Sequence, residues 1–522
     1  MREQNAEGST LWIRADATPA MGTGHVMRCL ALAQAWRDQG GAVVFFTATE
    51  NRRLITRLVQ EGCEVVPVPR PHPDAADRDL LLQRAAACPP VWLVLDGYHF
   101  DAGYAEPLRQ QGVRLLVIDD TAHQKRYAAD VLLNQNFGAQ GLTYAGDPQA
   151  VLLLGPTYAL LRREILQQRP GERKQLPDYR RLLITLGGSD PRGLTSRVIR
   201  AVGESNLRNS LIYVVIGPAN PRVDDVRRQV KETEQRVVTR NLRFQVNEQA
   251  DMAEIFAASD LAISAAGSTT WEILHYGIPA VLITAAANQR GIVENLSQAG
   301  YVERAPGDED LDERGLAELI DRIIANPGRL REMAMRGRML VDGGGCRRVL
   351  AVMKFLARKP RWIEIQALLR EATVEDAIPL WHLANDPETR RQSFRSAVIP
   401  WETHVSWLRK KLLSTDTLVL VAEVGGTLIG IVRLEKKGEF AEVSYAVSPP
   451  FRGKGIGSSL LEAAADTGAK RLGVHTLRGT VKTTNAASVR SFVKAHFRPV
   501  AQQQVHDAAC IVFEKQVRQY DI

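Results

Sequence analysis

The hydrophobic positions of this chain follow two rhythms. Between residues 9 and 166, short apolar runs ("LWIRADA", "GAVVFFTA", "CEVVPVP", "VWLVLDG", "RLLVIDD", "DVLLNQN") alternate with stretches of helical spacing. A short apolar run fits a buried strand, and apolar residues recurring every three or four positions mark a helix face. Strands separated by helices read as βαβ units of a parallel sheet covered on both faces. The polar segment "QQRPGERKQLPDYR" (167–180) interrupts the pattern as a linker. Alternation then resumes with "RLLITLGG", "LIYVVIG", "LRFQV", "LAISAAG" and "PAVLITA". Two doubly wound α/β domains are therefore expected, 9–166 and 178–357. Ligands of such sheets bind at the carboxyl ends of the strands.

After "ARKPRW" (357–362) the rhythm changes. "TLVLVAEVGGTLIGIVRLEKKGEFAEVSYAVS" alternates apolar and polar residues, with Gly425 and Gly426 at a turn. That is the pattern of antiparallel hairpins. Helical segments precede it at 375–385 and 401–413 and follow it at 456–467 and 485–495. Residues 364–522 are expected to form an α+β domain.

Composition narrows the function classes. The five cysteines are scattered and show no CxxC spacing, which argues against a disulfide framework or zinc site and for a reducing cytoplasm. No apolar run approaches the roughly 18–20 residues that span a bilayer. "MREQNAEGST" lacks the apolar segment of a secretory signal. The formal net charge of +8 divides evenly between residues 1–363 and 364–522, with no dense basic block. A nucleic-acid surface is not expected on that distribution, whereas small phosphorylated ligands fit it.

The candidate chemistry begins with "ATPAMGTGHVMRCLALAQAW" (17–36), where Gly22, Gly24 and His25 occupy a strand-to-helix turn. Glycine lets the backbone approach a ligand, and the helix start offers free N–H groups to an anion. The same helix end disfavours an imidazolium, and a neutral imidazole is what a general base requires. Helix capping is the structural reading of the same histidine. Asp96, Asp119 and Asp120 end strands and are expected to face the cleft. "LITLGGSDP" is a second glycine turn, and Gly267, Ser268 and Thr269 form a third, ahead of a helix carrying Glu272. Small residues and hydroxyls there suit a diphosphate. A Glu one turn in can accept from vicinal ribose hydroxyls or act as a dipole partner.

"RADATPAMGTGHVMRCLALA", "DGYHFD", "VIDD", "LLNQN", "GPTYALLRREI", "LGGSDP", "GSTTWEILHYGIPAVLITAAANQ" and "VDGGGCRRV" occur in this order. Together they resemble the UDP-sugar hydrolases of pseudaminic acid biosynthesis over residues 9–355. That family is similar to the two-domain GT-B glycosyltransferases. The resemblance implies attack of water at C1 of UDP-2,4-diacetamido-2,4,6-trideoxy-β-L-altropyranose with inversion. It implies His25 as the base on that water, Glu272 on the ribose, and Ser268 and Thr269 on the diphosphate. It further implies Gly22, Gly24, Asp96, Tyr98, Gly188, Asn288 and Gln289 around the substrate.

"VSYAVSPPFRGKGIGSSLLEAA" (443–464) places a glycine-flanked turn between a strand and a helix. Successive N–H groups at such a helix start make an anion nest, to which Arg452 and Lys454 add charge. With "NAASVRSFVKAHF" (485–497) it resembles the GNAT N-acetyltransferases. That resemblance implies acetyl-CoA held by Arg452, Gly453, Lys454, Gly455, Ile456, Gly457 and Asn485. Glu442 is the candidate base on the amine, a solvated charge being its structural alternative. The sequence departs from the family at Phe492, where many members have a tyrosine acid, and at His496, where they have glycine. Tyr445 or His496 could supply the proton instead. "LANDPETRRQSF" resembles the first helices of acetyltransferases acting on 4-amino nucleotide sugars, and "PWETHVSWL" is expected to shape the amine pocket. Ordinary core packing is the structural reading of Trp401 and Trp407 within it.

The expected whole is two Rossmann-like, GT-B-like domains followed by a GNAT domain. It would take a UDP-activated amino sugar and acetyl-CoA, without a metal and without stable membrane association. A glycosyltransferase using an acceptor hydroxyl, and a non-catalytic nucleotide-sugar and CoA-binding regulator, are the alternatives.

Overall fold

The computed structural model describes residues 9–18, 21–145, 150–171, 180–217, 219–248, 250–307, 310–357, 365–366 and 368–517. Two compact units make up the chain, Met1–Leu350 and Ala351–Ile522. Residues 172–179 of the expected linker and 358–362 of the expected boundary lie outside the described residues.

The first unit holds two parallel sheets. One contains β1 (Thr10–Ala15), β2 (Ala42–Thr47), β3 (Glu64–Pro67), β4 (Trp92–Asp96), β5 (Leu115–Ile118), β6 (Val131–Asn134) and β7 (Val151–Leu154), in spatial order β3-β2-β1-β4-β5-β6-β7. The other contains β8 (Arg181–Thr185), β9 (Ser210–Val215), β10 (Leu242–Asn247), β11 (Leu261–Ala265), β12 (Ala280–Ile283) and β13 (Glu303–Arg304), in order β10-β9-β8-β11-β12-β13. The strand order reverses between β1 and β4 in the first and between β8 and β11 in the second. Loops leaving neighbouring strands part at such points and open a crevice. Both faces are covered, so the strands read as near-continuous apolar runs. Residue alternation divides the second sheet's core in two, with Leu182, Ile184, Ile212 and Val214 on one face and Leu183, Val215, Ala262 and Leu282 on the other.

Arg14 breaks the apolar run of β1 and is fully buried. Its Nε and Nη2 donate to Asp77 at 2.9 and 2.6 Å, its Nη1 donates to Asp16 at 2.5 Å, and the Tyr104 hydroxyl donates to Asp77 at 2.7 Å. Burial alone would raise the Asp77 carboxyl, but Arg14 holds it below its ordinary range.

The second unit is one sheet of β14 (Leu369–Glu371), β15 (Thr417–Val424), β16 (Thr427–Lys437), β17 (Phe440–Val447), β18 (Thr476–Lys482), β19 (Arg498–Val505) and β20 (Ala508–Gln516). The order is β14-β15-β16-β17-β18-β20-β19. Gly425 and Gly426 turn the β15–β16 hairpin with φ of 56° and 78°, conformations that favour glycine. All neighbours are antiparallel except β17 and β18, which run parallel and pair only over Phe440–Glu442 and Thr476–Arg478. From Val443 onward the two strands part.

Register assigns the faces of β17. Tyr445 and Val443 lie beside Val432 and Leu434 of β16. Leu434 packs on the helix Ile456–Leu472, at Gly468. Glu442 and Ser444 lie beside Glu435 and Arg433, on the face where Arg433 stands 5.5 Å from the Trp407 ring of the helix Trp401–Leu412.

Replacing Asp77 by Asn leaves the buried Arg14 without its main counter-charge. We expect the first unit to lose about 3–5 kcal/mol, read as a lowered urea midpoint. An unchanged midpoint would mean that Asp16 alone neutralises Arg14.

Candidate functional site

In the first unit, the three glycine turns seen in the sequence meet. A Cβ placed on Gly24 would lie 3.7 Å from Ser268 Oγ, and one on Gly188 would lie 3.3 Å from Thr23 Oγ1. The turn after β1 therefore faces the turns after β8 and β11, and the switch points of the two sheets look at each other. Gly217 is required beneath them, because a Cβ there would run into the carbonyl oxygens of Gly187 and Gly188.

His25 lies in the first turn of the helix Gly24–Arg37 and is about nine-tenths buried. Its Nδ1 is 2.7 Å from Asp96 Oδ1. An ionised carboxylate only accepts, so Nδ1 carries the hydrogen and Nε2 is the acceptor of the neutral ring. Arg28, one helical turn on, donates from Nε and Nη2 to Asp96, both at 2.7 Å. Its Nη1 reaches Asp120 at 2.8 and 2.9 Å. Asn136 and the Tyr98 hydroxyl also donate to Asp120, at 2.9 and 3.0 Å, and Asn288 donates to the Tyr98 oxygen at 2.9 Å. Burial would raise both carboxyls, but Arg28 overrides it and holds Asp96 and Asp120 below their ordinary range. Burial, reinforced by the Asp120 charge, pushes the Tyr98 phenol up, so it keeps its hydrogen.

Two sequence expectations need correction. Asp96 does not face the cleft: its side chain is fully buried behind His25 and spent on His25 and Arg28. Asp119 is also withdrawn, taking the Thr121 and Ala122 amides at 2.8 and 3.1 Å to close its own turn. Gln289 turns its Oε1 to the Ala285 amide at 2.9 Å, so within "ANQ" it is Asn288 that reaches Tyr98. Ser268 precedes the helix Thr269–Tyr276. Glu272 in that helix accepts from Arg162 at 2.8 and 3.1 Å, both on Oε1.

In the second unit, a cavity of about 830 Å³ opens where β17 and β18 part. Gly453 and Gly455, at φ 73° and 83°, lead into the helix start at Ile456. Their backbone, with that of Gly457, lines the cavity; the Ile456 side chain is core. Gly457 is open for a reason: a Cβ there would stand 2.9 Å from Tyr445 Cε2 and 3.0 Å from Ser491 Oγ. The cationic side chains are placed otherwise than expected. Arg452 is held by the Val447 carbonyl at 3.0 Å, Asp386 at 2.5 Å and Thr389 at 3.0 Å, and Lys454 turns to the Pro450 carbonyl at 3.0 Å. Arg452 nevertheless lines the cavity beside the Gly453–Gly457 backbone. Asn485 lines the cavity and also caps the helix Ala486–Lys494 through the Ser488 amide at 3.0 Å.

Comparison with known proteins follows the same division. Residues 182–339 match the glycosyltransferase family 28 C-terminal domain, and residues 366–498 match the acetyltransferase (GNAT) domain. L-2,4-diaminobutyric acid acetyltransferase of Nocardia farcinica is 31% identical over 140 residues, 26% of this chain and 67% of that protein. The chain joins a GT-B-like unit to a GNAT acetyltransferase. An uncharacterised protein of Methanocaldococcus jannaschii is 22% identical over 426 residues, covering 78% of this chain and 79% of its own length. UDP-2,4-diacetamido-2,4,6-trideoxy-β-L-altropyranose hydrolase of Campylobacter jejuni is 23% identical over 293 residues, 55% of this chain and 96% of that protein.

Within the GNAT domain, Glu442 is exposed and lines the cavity. Phe492 is buried against Phe497 and Phe513, with ring centroids 5.0 and 5.3 Å away, and offers no proton. His496 is 81% exposed, at φ 63°, and does not line the cavity. Trp407 lines the cavity beneath Arg433, so it is not plain core. His404 escaped sequence reading. It is 3% exposed on the Glu442 side, its ring 6.3 Å from that of Trp401 and 5.7 Å from that of Trp407. Burial pushes its pKa down, and among the described residues Nε2 has no hydrogen-bond partner. The residue lines the cavity. The two three-residue helical steps from Trp401 through His404 to Trp407 were the available signal. Among the described residues, no group of three or more His, Cys, Asp or Glu is placed to hold a metal, and no helix is long and apolar enough to cross a membrane.

His496→Gly removes a left-handed side-chain penalty of about 1–2 kcal/mol against a glycine entropy cost of about 0.5–1 kcal/mol. The variant is expected to gain a few tenths to about 1 kcal/mol in urea unfolding with unchanged acetyl transfer. A large loss of turnover would give His496 a catalytic role.

Proposed function

We propose that the GNAT domain acetylates the 4-amine of UDP-4-amino-4,6-dideoxy-N-acetyl-β-L-altrosamine with acetyl-CoA. The GT-B-like unit then hydrolyses the product to UDP and 2,4-diacetamido-2,4,6-trideoxy-L-altropyranose. The observation that carries the second step is the His25–Asp96 pair set against three glycine turns. Asp96 orients the ring so that Nε2 takes a proton from water attacking C1. The turn at Ser268 and Thr269 receives the diphosphate on the helix start. Glu272, steadied by Arg162 through Oε1, has Oε2 to offer the ribose. UDP is a sufficient leaving group, so one base and one displacement serve. The hydrolase activity named for the Campylobacter relative supports this reading.

In the acetyl transfer, the thioester lies between the parted strands with its pyrophosphate on the Gly453–Gly457 amides. Glu442 accepts the proton of the attacking amine. The reaction would take place in a cytoplasmic setting, on soluble substrates.

The family 28 match favours a second reading, transfer of the sugar to an acceptor hydroxyl in place of water. Incubation with the UDP-amino sugar, with and without acetyl-CoA, separates the readings. UDP release without an added acceptor supports hydrolysis. Release only with an acceptor supports the glycosyltransferase, and no turnover of either kind supports a binding regulator.

His25→Ala is expected to slow UDP release by roughly 10²–10⁴-fold while leaving acetylation intact. Near-wild-type hydrolysis would return His25 to a capping role. Glu272→Ala should raise KM about ten-fold or more with kcat little changed, because a ribose contact holds ground and transition states alike. A collapse of kcat at constant KM would remove Glu272 from the ribose.

A further inference from the structure

We propose that Tyr445 is the proton donor to the departing thiolate, an inference that rests on the acetyltransferase reading of the second unit. Strand alternation carries the argument. Glu442 and Tyr445 are three residues apart on β17, so their side chains leave opposite faces of the sheet. Both line the cavity: Glu442 is the last residue of β17 paired with β18, and Tyr445 lies beyond it, where the strands have parted. A thioester inserted in that opening is therefore reached from both faces. The amine comes from the side of Glu442, His404 and Trp407, and the sulfur leaves toward the helices Ile456–Leu472 and Ala486–Lys494.

On the leaving side, the Tyr445 hydroxyl is 3.3 Å from Ser488 Oγ, and it stands 3.2 Å from where a Cβ on Gly457 would be. Glycine at 457 thus opens the space that the phenol fills, beside the amides assigned to the pyrophosphate. Tyr445 is the phenol among the cavity-lining residues; the other hydroxyls on this side, Ser458, Ser488, Ser491 and Thr480, are far weaker acids. Burial pushes the Tyr445 phenol up, which keeps it protonated until a thiolate forms. The charged residues lining this side are Arg452, Lys482, Arg490 and Lys494, with Glu442 across the strand. Lys482 is committed to the Arg391 and Ser393 carbonyls.

The step balances. The neutral amine nitrogen forms a bond to the acetyl carbonyl carbon, and the C–S bond breaks as the tetrahedral intermediate collapses. The proton shed by nitrogen goes to Glu442, the sulfur takes the phenolic proton of Tyr445, and the phenolate regains a proton from solvent. CoA leaves as the thiol.

The test compares wild type with Tyr445→Phe, which keeps the ring that packs 6.0 Å from Phe492. CoA alone is the probe: its bound thiol is titrated by thiolate absorbance. A phenol donating to sulfur stabilises the thiolate, so bound CoA in wild type should titrate about one unit or more below bound CoA in the variant. All four cations are common to both proteins and cancel in the difference. Acetylation of the UDP-amino sugar should fall by roughly 10²-fold or more in kcat, with KM for acetyl-CoA little changed. Equal thiol titrations overturn the proposal, even if turnover falls, since the defect is then structural. A wild type that binds CoA but leaves the amino sugar untouched sinks the acceptor assignment alone, and the titration still decides Tyr445.

Discussion

Arg28 balances the charges on which the first site rests. One guanidinium is buried between two carboxylates, Asp96 and Asp120. Removing such groups from water is costly unless each is paired and hydrogen-bonded, and here every partner is satisfied. The count leaves one negative charge over, because Tyr98, Asn136 and Asn288 add hydrogen bonds but no charge. That surplus lies against the ring N–H of His25. For the base proposed at His25, a carboxylate fixed behind the ring is the form of electrostatic help its transition state needs.

Topology explains why this network is where it is. His25 follows β1 and Asp96 ends β4, the two strands between which the first sheet reverses its order. Gly188 and Ser268 follow β8 and β11, the corresponding pair of the second sheet. Connections diverge at these points and leave a crevice into which the turns of the two sheets face. The GNAT domain reaches the same end by different means. Its one parallel strand pair parts after three residues, and the freed edge of β17 becomes the cavity wall.

What the sequence made legible follows from what is local. The strand runs of both parallel sheets and the β15–β17 hairpins lie where periodicity places them, and the three glycine turns stand at strand ends. β7 was missed because it is an edge strand with Leu152 exposed, and β13 because it has only two residues. Side-chain direction was harder. Asp96 ends its strand as expected, but whether it faces ligand or histidine depends on Arg28, 68 residues away, and Asp120 is 92 residues from the same guanidinium. Arg452 and Lys454 show the same limit: the sequence puts both at the glycine turn, and only the fold shows Asp386 and the Pro450 carbonyl holding them.

Phe492 shows how packing can move a chemical function. A Cβ on Gly479 of β18 would overlap Cε1 and Cζ of the Phe492 ring, so the tip of that ring already fills the side-chain space of its neighbour strand. Phe513 and Phe497 close the other sides. A hydroxyl added at Cζ would crowd β18 at Gly479, and burying it unpaired would cost about 1–3 kcal/mol. Position 492 therefore suits a hydrocarbon in this sheet. One turn earlier on the same helix, Ser488 faces the cavity, and Gly457 leaves a gap beside it. The phenol that occupies this gap comes from β17, reaching across from the strand instead of down from the helix. A tyrosine at 445 with glycine at 457 and phenylalanine at 492 is one packing solution, and its parts make physical sense only together.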